Sequence, residues 1–257
     1  MDKDGKYIYC IIASQSDCNF GPIGIGGRGD MVYTIGIDRL SMVVSNHPLT
    51  KFVVSPENIL AHQKVIETVM EEFNSVLPVR FGTIAASSDE IINLLGRHRL
   101  EFSEILDSVE NKVEINVKGV WKNMQLIFKE IDKNNSVIEQ IKEEISSLKD
   151  QKEKQNRIVE AGRMVHQALK TKKEQETEDL IQEFKNTVFD FRTNNTNRDD
   201  EFMNAAFMVS KGRVKEFDFL MEDLGEKYNH RIDFKCTGPL PVFNFIDLKV
   251  LPESWEI

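Results

Sequence analysis

Cysteine is scarce in this chain: Cys10, Cys18 and Cys236 are the three among 257 residues, and none forms a C-x-x-C pair. An odd, widely scattered set argues against a disulfide framework or a zinc ribbon. Cys10 and Cys236 fall in strand-like runs, so buried free thiols are expected. Histidine is equally thin. His47, His62, His98, His166 and His230 stand apart, without H-E-x-x-H spacing, so no metal site is expected. There is no G-x-x-x-x-G-K-[ST] phosphate loop and no G-x-S-x-G nucleophile elbow. Basic residues are outnumbered, 33 Lys and Arg against 42 Asp and Glu, for a net charge of −9. Nucleic acid is therefore not an expected partner, because phosphate binding requires a basic surface. No apolar run approaches the ~20 residues of a membrane helix. The opening Met1–Lys6 lacks the pattern of a secretory signal, which points to the cytoplasm.

What is present reads as a mixed α+β chain in two parts. Tyr7–Ile12 is apolar on both parities and too short for a helix, as in a buried central strand. A glycine-rich loop over 21–29 leads to a hairpin, 31–35 and 40–44, with its turn near Gly36–Arg39. Ser55-Pro56-Glu57 is a helix start, followed by Ile59, His62, Ile66, Val69 and Phe73 at helical spacing. His62 lies on that apolar stripe and reads as a hydrogen-bonded core histidine. Leu77–Ile84 reads as extended. Ser87 and Glu90 fit a capping box opening one helix that carries Ile91, Leu94, Leu95, Phe102, Ile105 and Leu106.

The second part begins near Asn111, dividing the chain into an α+β domain over 1–110 and a second domain over 111–257. Val113–Lys118 alternates apolar and polar residues, as in a strand with one buried face. Ile127, Ile131, Ile138, Ile141, Ile145 and Leu148 follow with Asn134 in the same seam, then a polar break over 149–157 and a second helical stretch over about 158–191. These form a helical hairpin or a helix with a soft middle. Either a solvated helix buried on one side or a self-associating coiled coil fits the seam. Phe202–Val209 is a strand, Val214 to Tyr228 an amphipathic helix, and Ile232, Phe234 and Cys236 a half-buried strand. Strand, helices, strand, helix, strand is the order of a modified ferredoxin-like sandwich carrying a helical, coiled-coil-like insert over about 122–200.

Gly24-Ile25-Gly26-Gly27-Arg28-Gly29 matches the dinucleotide-binding string. A strand follows it where the pyrophosphate needs a helix N-terminus, so no cofactor is expected. No acid and base pair up in a sheltered setting, so the chain does not read as an enzyme. Two local strings remain. In Leu77-Pro78-Val79-Arg80-Phe81-Gly82-Thr83, Pro78 stops the preceding helix and Arg80 sits among apolar neighbours, so it needs a carboxylate or carbonyl partner. It serves either as an internal clamp or as a partner contact. Gly238-Pro239-Leu240-Pro241-Val242-Phe243-Asn244-Phe245 is a proline-stiffened turn ending in aromatics. It should pack rigidly against a strand or edge.

These strings, with Tyr7-Ile8-Tyr9, Leu60–Val65, the Val113-Glu114 strand start and Asn204-Ala205-Ala206-Phe207, resemble the gas vesicle protein F/L family. The resemblance covers both ends of the chain and leaves about 122–200 as a variable region. That family has G-P-W-P-P-Y-x-F where Leu240, Val242 and Phe243 stand here, so contacts resting on the Trp are not carried over. The resemblance implies a minor gas vesicle component, located at the vesicle, that acts in assembly. Such a protein would bind the hydrophobic shell subunit, gas vesicle protein A, and other accessory proteins. It would nucleate the vesicle or keep the subunit from aggregating. Pro78, Arg80, Phe81, Gly82, Gly238, Pro239 and Phe245 are the candidate contacts. The rival reading is a small-molecule-binding regulatory module on a ferredoxin-like scaffold, which would need a pocket of convergent polar groups.

Overall fold

The computed structural model describes residues 4–49 and 54–246. Of the opening hexapeptide, the first three residues lie outside that range, and the rest belong to β1 (Asp4–Ile12). This strand is the axis of a sheet ordered β2 (Asn19–Gly21), β3 (Val32–Ile37), β4 (Leu40–Pro48), β1, β5 (Val76–Pro78), with β6 (Ile84–Ala85) also on β1. Every residue of β1 from Tyr7 on is buried, because both sheet faces are covered. On one face α1 (Pro56–Glu72) lays Val65, Ile66 and Val69 against Tyr7, Tyr9, Cys10 and Ile12. On the other, α2 (Ser88–Arg97) and α3 (Arg99–Ser108) pack Ile91, Leu94, Leu95, Phe102 and Leu106 onto Ile8, Ile11, Met42 and Val44.

Tyr9 and Cys10 are neighbours, yet both face α1. A register shift between Ile8 and Cys10 in the pairing with β4 accounts for this. The extra residue of a bulge resets the alternation of a strand by one. The expected hairpin is β3–β4, antiparallel with Ile37 opposite Leu40, and Asp38 takes the left-handed conformation (φ 56°) in the turn.

The expectations were modified in two places here. The single helix expected after Ser87 is two, broken at His98, whose backbone closes α2 and opens α3. Ser87 caps α2 by accepting the Glu90 N–H, while the Glu90 carboxylate turns back one residue further than a capping box, onto the Ala86 N–H.

Two compact units share the chain. The first comprises the chain up to Glu114, Met208–Gly212 and the chain from Gly238 on; the second comprises Ile115–Phe207 and Arg213–Thr237. The second sheet is ordered β10 (Ile232–Leu240), β7 (Lys112–Trp121), β9 (Glu201–Ser210), β8 (Asp190–Thr193). In chain order that is 4-1-3-2, the ferredoxin-like arrangement. Helix α7 (Val214–Lys227) takes the place of the second crossover helix, and α4 (Met124–Lys133), α5 (Ser136–Ser147) and α6 (Gln151–Phe184) expand the first. Phe184 of α6, Phe207 of β9 and Phe217 of α7 form an aromatic core with ring centroids 4.5–5.7 Å apart. Gly119 of β7 lets the Phe202 ring lie close; a Cβ there would meet Phe202 Cζ at 2.7 Å.

The hydrophobic seam of the insert runs along α4 and α5 against α6, with Ile127 and Ile131 of α4 and Ile138 and Ile141 of α5 buried in it. Ile145 and Leu148 are only half-buried. Asn134 is no seam residue. It ends α4, and the Asn135 side chain accepts from the Ile138 N–H to start α5. The polar stretch that suggested a break is helical from Gln151, because Asp150 caps α6 through the Lys152 and Glu153 N–H groups. The helix stops at Phe184; of the apolar residues beyond it, Val188 and Phe189 lie in the connection that follows and Phe191 belongs to β8.

An ionic cluster ties this unit together. Arg231 holds Glu130 through both carboxylate oxygens (2.5 and 2.9 Å) and reaches Glu176 at 2.6 Å. Lys172 touches the same two carboxylates at 2.8 and 3.1 Å, and Trp121 Nε1 donates to Glu176. The guanidinium beside Glu130 holds its carboxyl down to about 2.

Candidate functional site: the Tyr7–His62 cluster

Three of the strings singled out in the sequence, those of Tyr7, Leu77–Thr83 and Phe243, meet within the first unit around one buried histidine. His62, on the inner face of α1, is 3% exposed. Its Nε2 lies 3.1 Å from the Val79 carbonyl and its Nδ1 2.9 Å from Tyr7 Oη. A carbonyl only accepts, so Nε2 carries the proton, Nδ1 accepts, and Tyr7 is the donor to it. The Gly82 N–H in turn donates to Tyr7 Oη at 2.9 Å. The chain of bonds Gly82 N–H to Tyr7 to His62 to Val79 therefore closes without an orphan. Burial drives the His62 imidazolium down to about 4 and pushes the Tyr7 phenol well up. At neutral pH both rings are uncharged, and the network is a fixed polar spine.

That spine positions the loop between β5 and β6. The Val79 N–H donates to the Tyr9 carbonyl, the Ile8 N–H to the Thr83 carbonyl, and Thr83 Oγ1 to the Arg80 carbonyl. Pro78 is buried at the end of β5. Gly82 takes φ +87° with open space around the position of a Cβ, so glycine is there for its backbone alone. Tyr9 makes a parallel anchor, its hydroxyl lying 2.8 Å from Ser45 Oγ and accepting the Ile25 N–H of the glycine-rich loop.

Two aromatic rings flank the histidine toward solvent. Phe81 and Phe243 lie 5.7 and 6.5 Å from the imidazole, centroid to centroid. Phe81 is half-buried, and Phe243 is 38% exposed. On α1 itself Ile59 and Leu60 are 43% and 64% exposed. Ile59 thus belongs to the surface, although helical spacing placed it on the buried stripe; the stripe begins with His62.

Arg80 also differs from the expectation. It is exposed, because β5 ends at Pro78 and the expected single strand is a strand, a turn and a second strand. Gly238 and Pro239 finish β10 through a cis peptide bond and are exposed. Pro241 and Val242 behind them are buried, and Phe243–Phe245 forms a short 3-10 turn with Phe245 half-buried. Glu114 fixes this turn. Its carboxylate, 1% exposed, accepts the Asn244 backbone N–H at 2.8 Å and the Asn244 side-chain N–H at 2.6 Å. Alternation had placed Glu114 on the solvent face of β7; a partner 130 residues away in sequence pulls it inside. The Asn204–Phe207 string lies apart, in the second unit, where Phe207 belongs to the aromatic core.

Cys10 is buried as expected, and burial pushes its thiol up. Cys236 is exposed, contrary to expectation, because β10 is an edge strand with little packed on it there. Among the described residues, no group of three or more His, Cys, Asp and Glu side chains could hold a metal ion. No described helix is long and apolar enough to cross a membrane.

A sequence profile described as "Gas vesicle synthesis protein GvpL/GvpF" matches residues 5–247. Gas vesicle protein F of Nostoc sp. is 21% identical over 248 residues, covering 96% of this chain and 99% of the relative. Gas vesicle protein F of Microcystis aeruginosa is 22% identical over 250 residues, covering 95% and 98%. The crystal structure of gas vesicle protein GvpF from Anabaena sp. superposes with a TM-score of 0.79 at 19% identity, over 96% of this chain and 99% of that one.

Proposed function

This chain belongs to the gas vesicle synthesis protein GvpL/GvpF family, and from that premise we propose that it is a non-catalytic assembly factor that binds the hydrophobic shell subunit, gas vesicle protein A. A subunit that will face gas must present apolar surface before it is assembled. A partner that covers such a surface needs apolar side chains held at fixed positions. The observation that carries the reading is the surface beside His62. Ile59, Leu60, Phe81 and Phe243 are exposed or half-exposed, and the polar spine beneath them fixes Phe81 and its loop. The net charge of −9 would keep the loaded complex dispersed. The same reading extends to contacts with other gas vesicle accessory proteins, and to self-association through the insert, where Val137, Ile158 and Val159 are about half exposed.

The test is co-expression with the shell subunit, followed by pull-down at low and moderate salt and an assay of shell-subunit solubility. Apolar contact predicts capture that persists at ~0.15 M salt, where exposed ion pairs are largely screened. Leu60→Asp together with Phe243→Asp should lower capture at least about tenfold while the fold melts normally, since each charge must be desolvated at the contact. A shell subunit that neither co-purifies nor gains solubility sinks the reading. Capture only at low salt would transfer the contact to the acidic surface.

A further inference from the structure

Residues 194–200 join β8 to β9 and read Asn-Asn-Thr-Asn-Arg-Asp-Asp. The stretch contains no glycine for a left-handed turn position, no proline to stiffen it and no large apolar side chain to bury. Its ends are tied to neighbouring strands. The Asn194 N–H donates to the Asn204 carbonyl at 2.7 Å, Asn204 Nδ2 to the Asn195 carbonyl at 3.1 Å, and the Trp121 N–H to the Asp200 carbonyl at 2.8 Å. Asn197, Arg198 and Asp199 between them are exposed.

The middle is held from α6. Lys173 Nζ donates to the Arg198 carbonyl at 2.7 Å, the Glu201 carbonyl at 2.9 Å and Thr196 Oγ1 at 3.3 Å. One turn further along the helix, Thr177 Oγ1 donates to the Phe202 carbonyl at 2.9 Å. An ammonium has three donors, and all three are used here. The connection thus turns two carbonyls and a hydroxyl oxygen toward one point, with a positive charge at their focus. Oxygen dipoles replace the water of a bare monovalent cation in the same way. Without the charge, the negative ends of these dipoles would face one another, and the connection would have to open to hydrate them. Burial lowers the Lys173 ammonium, and the charges of Asp199, Glu201 and Asp200 offset part of that effect.

We propose that Lys173 serves as a tethered monovalent cation: its ammonium fills an oxygen-lined site made by the β8–β9 connection, and the connection keeps its conformation only while that charge is in place. This accounts for a fixed connection that lacks turn residues of its own. The site is separate from shell-subunit binding. Its Arg198 carbonyl is also the oxygen that trypsin must draw into its oxyanion hole to cut between Arg198 and Asp199. The ammonium and the protease therefore compete for one atom.

The test follows tryptic cleavage at Arg198–Asp199 in the full chain and in two variants. Lys173→Met keeps the stem and removes the charge. Its cleavage should quicken at least about tenfold, in proportion to the open population. Lys173→Ala leaves room for the missing side chain, and propylammonium chloride should slow its cleavage back toward the parent rate. The same salt added to Lys173→Met, whose stem fills that room, corrects for inhibition of the protease itself. Cleavage of Lys173→Met at the parent rate overturns the proposal. So does a failure of propylammonium to protect Lys173→Ala, or equal protection by propan-1-ol, because filled space rather than charge would then hold the connection. Lysine-ammonium resonances of the unmodified chain give a readout that does not depend on how the variants fold. The Lys173 protons should exchange with water at least about tenfold more slowly than those of the exposed Lys170, and equal rates would overturn the site.

Discussion

At the scale of single residues, the first unit depends on a histidine that must stay neutral. His62 titrates at about 4 when folded and near 6.5 when unfolded. Between these values the unfolded chain binds the extra proton, so stability rises with pH across the window and is lost as pH falls from 6.5 toward 4. Full loss amounts to about 3 kcal/mol. The groups facing the ring are Tyr7 and Tyr9, both with phenols pushed up by burial, so no carboxylate offsets the imidazolium from that side. Urea melts at pH 7 and pH 5 should differ markedly for the parent chain, and the difference should shrink in His62→Gln, which keeps a polar side chain but does not titrate. An equal difference in both would assign the slope elsewhere. The Glu130 carboxylate, held at about 2 by Arg231 and then Lys172, contributes in a lower window, between the ordinary carboxyl range and 2. It leaves the His62 interval clear. The sequence made His62 legible as a core residue because it shares a stripe with Ile66 and Val69. Its partners were not legible, since Tyr7 and Val79 meet it only through the sheet.

At the scale of elements, the legible features were those written in period. The isoleucine seam, the stripe of α1 and the amphipathic α7 follow from spacing, because their burial repeats along the chain, while β1 was legible as a short run apolar on both parities and the start of α1 from its Ser55-Pro56-Glu57 cap. Ile141→Asp should cost several kcal/mol, because an unpaired charge would enter the α5–α6 contact; Ile145→Asp, at a half-buried position, should cost far less. Thermal melts of the two variants side by side check this, and equal losses would mean that the seam does not discriminate between them. The elements that spacing missed were set by single side chains or by neighbours. Asn135 and Asp150 restart helices by capping N–H groups, which periodicity does not register. Strand β8 is exposed along most of its length and so has no alternation to read. The Phe81 turn was hidden because Gly82 reverses a run whose side chains are all compatible with a strand.

At the scale of the whole molecule, the 4-1-3-2 order of the second sheet was legible from the succession of elements even with one strand unseen, since right-handed crossovers leave few alternatives. What single-chain patterning could not supply was the return of distant segments to the first unit. Asn244 makes two hydrogen bonds to Glu114, an acid that alternation assigned to solvent. Asn244→Asp would set a second carboxylate against a buried one. It should lower the melting temperature at pH 7 more than Asn244→Ala does, with part of the loss recovered near pH 4.5 as one of the pair binds a proton. A loss equal to that of alanine, or independent of pH, would show that the two groups do not face each other in solution.

The long separation of these two residues also has a meaning in time. A ribosome adding roughly 5–20 residues each second needs on the order of ten seconds to travel the 130 positions from Glu114 to Asn244. Through that interval the nascent first unit holds a carboxylate facing an interior that is not yet finished. The second unit, whose residues fill most of the gap, is synthesised meanwhile. Completion of the early unit is thus deferred until Asn244 has been made, so any surface that depends on Phe243 comes into being only after the second unit has been synthesised.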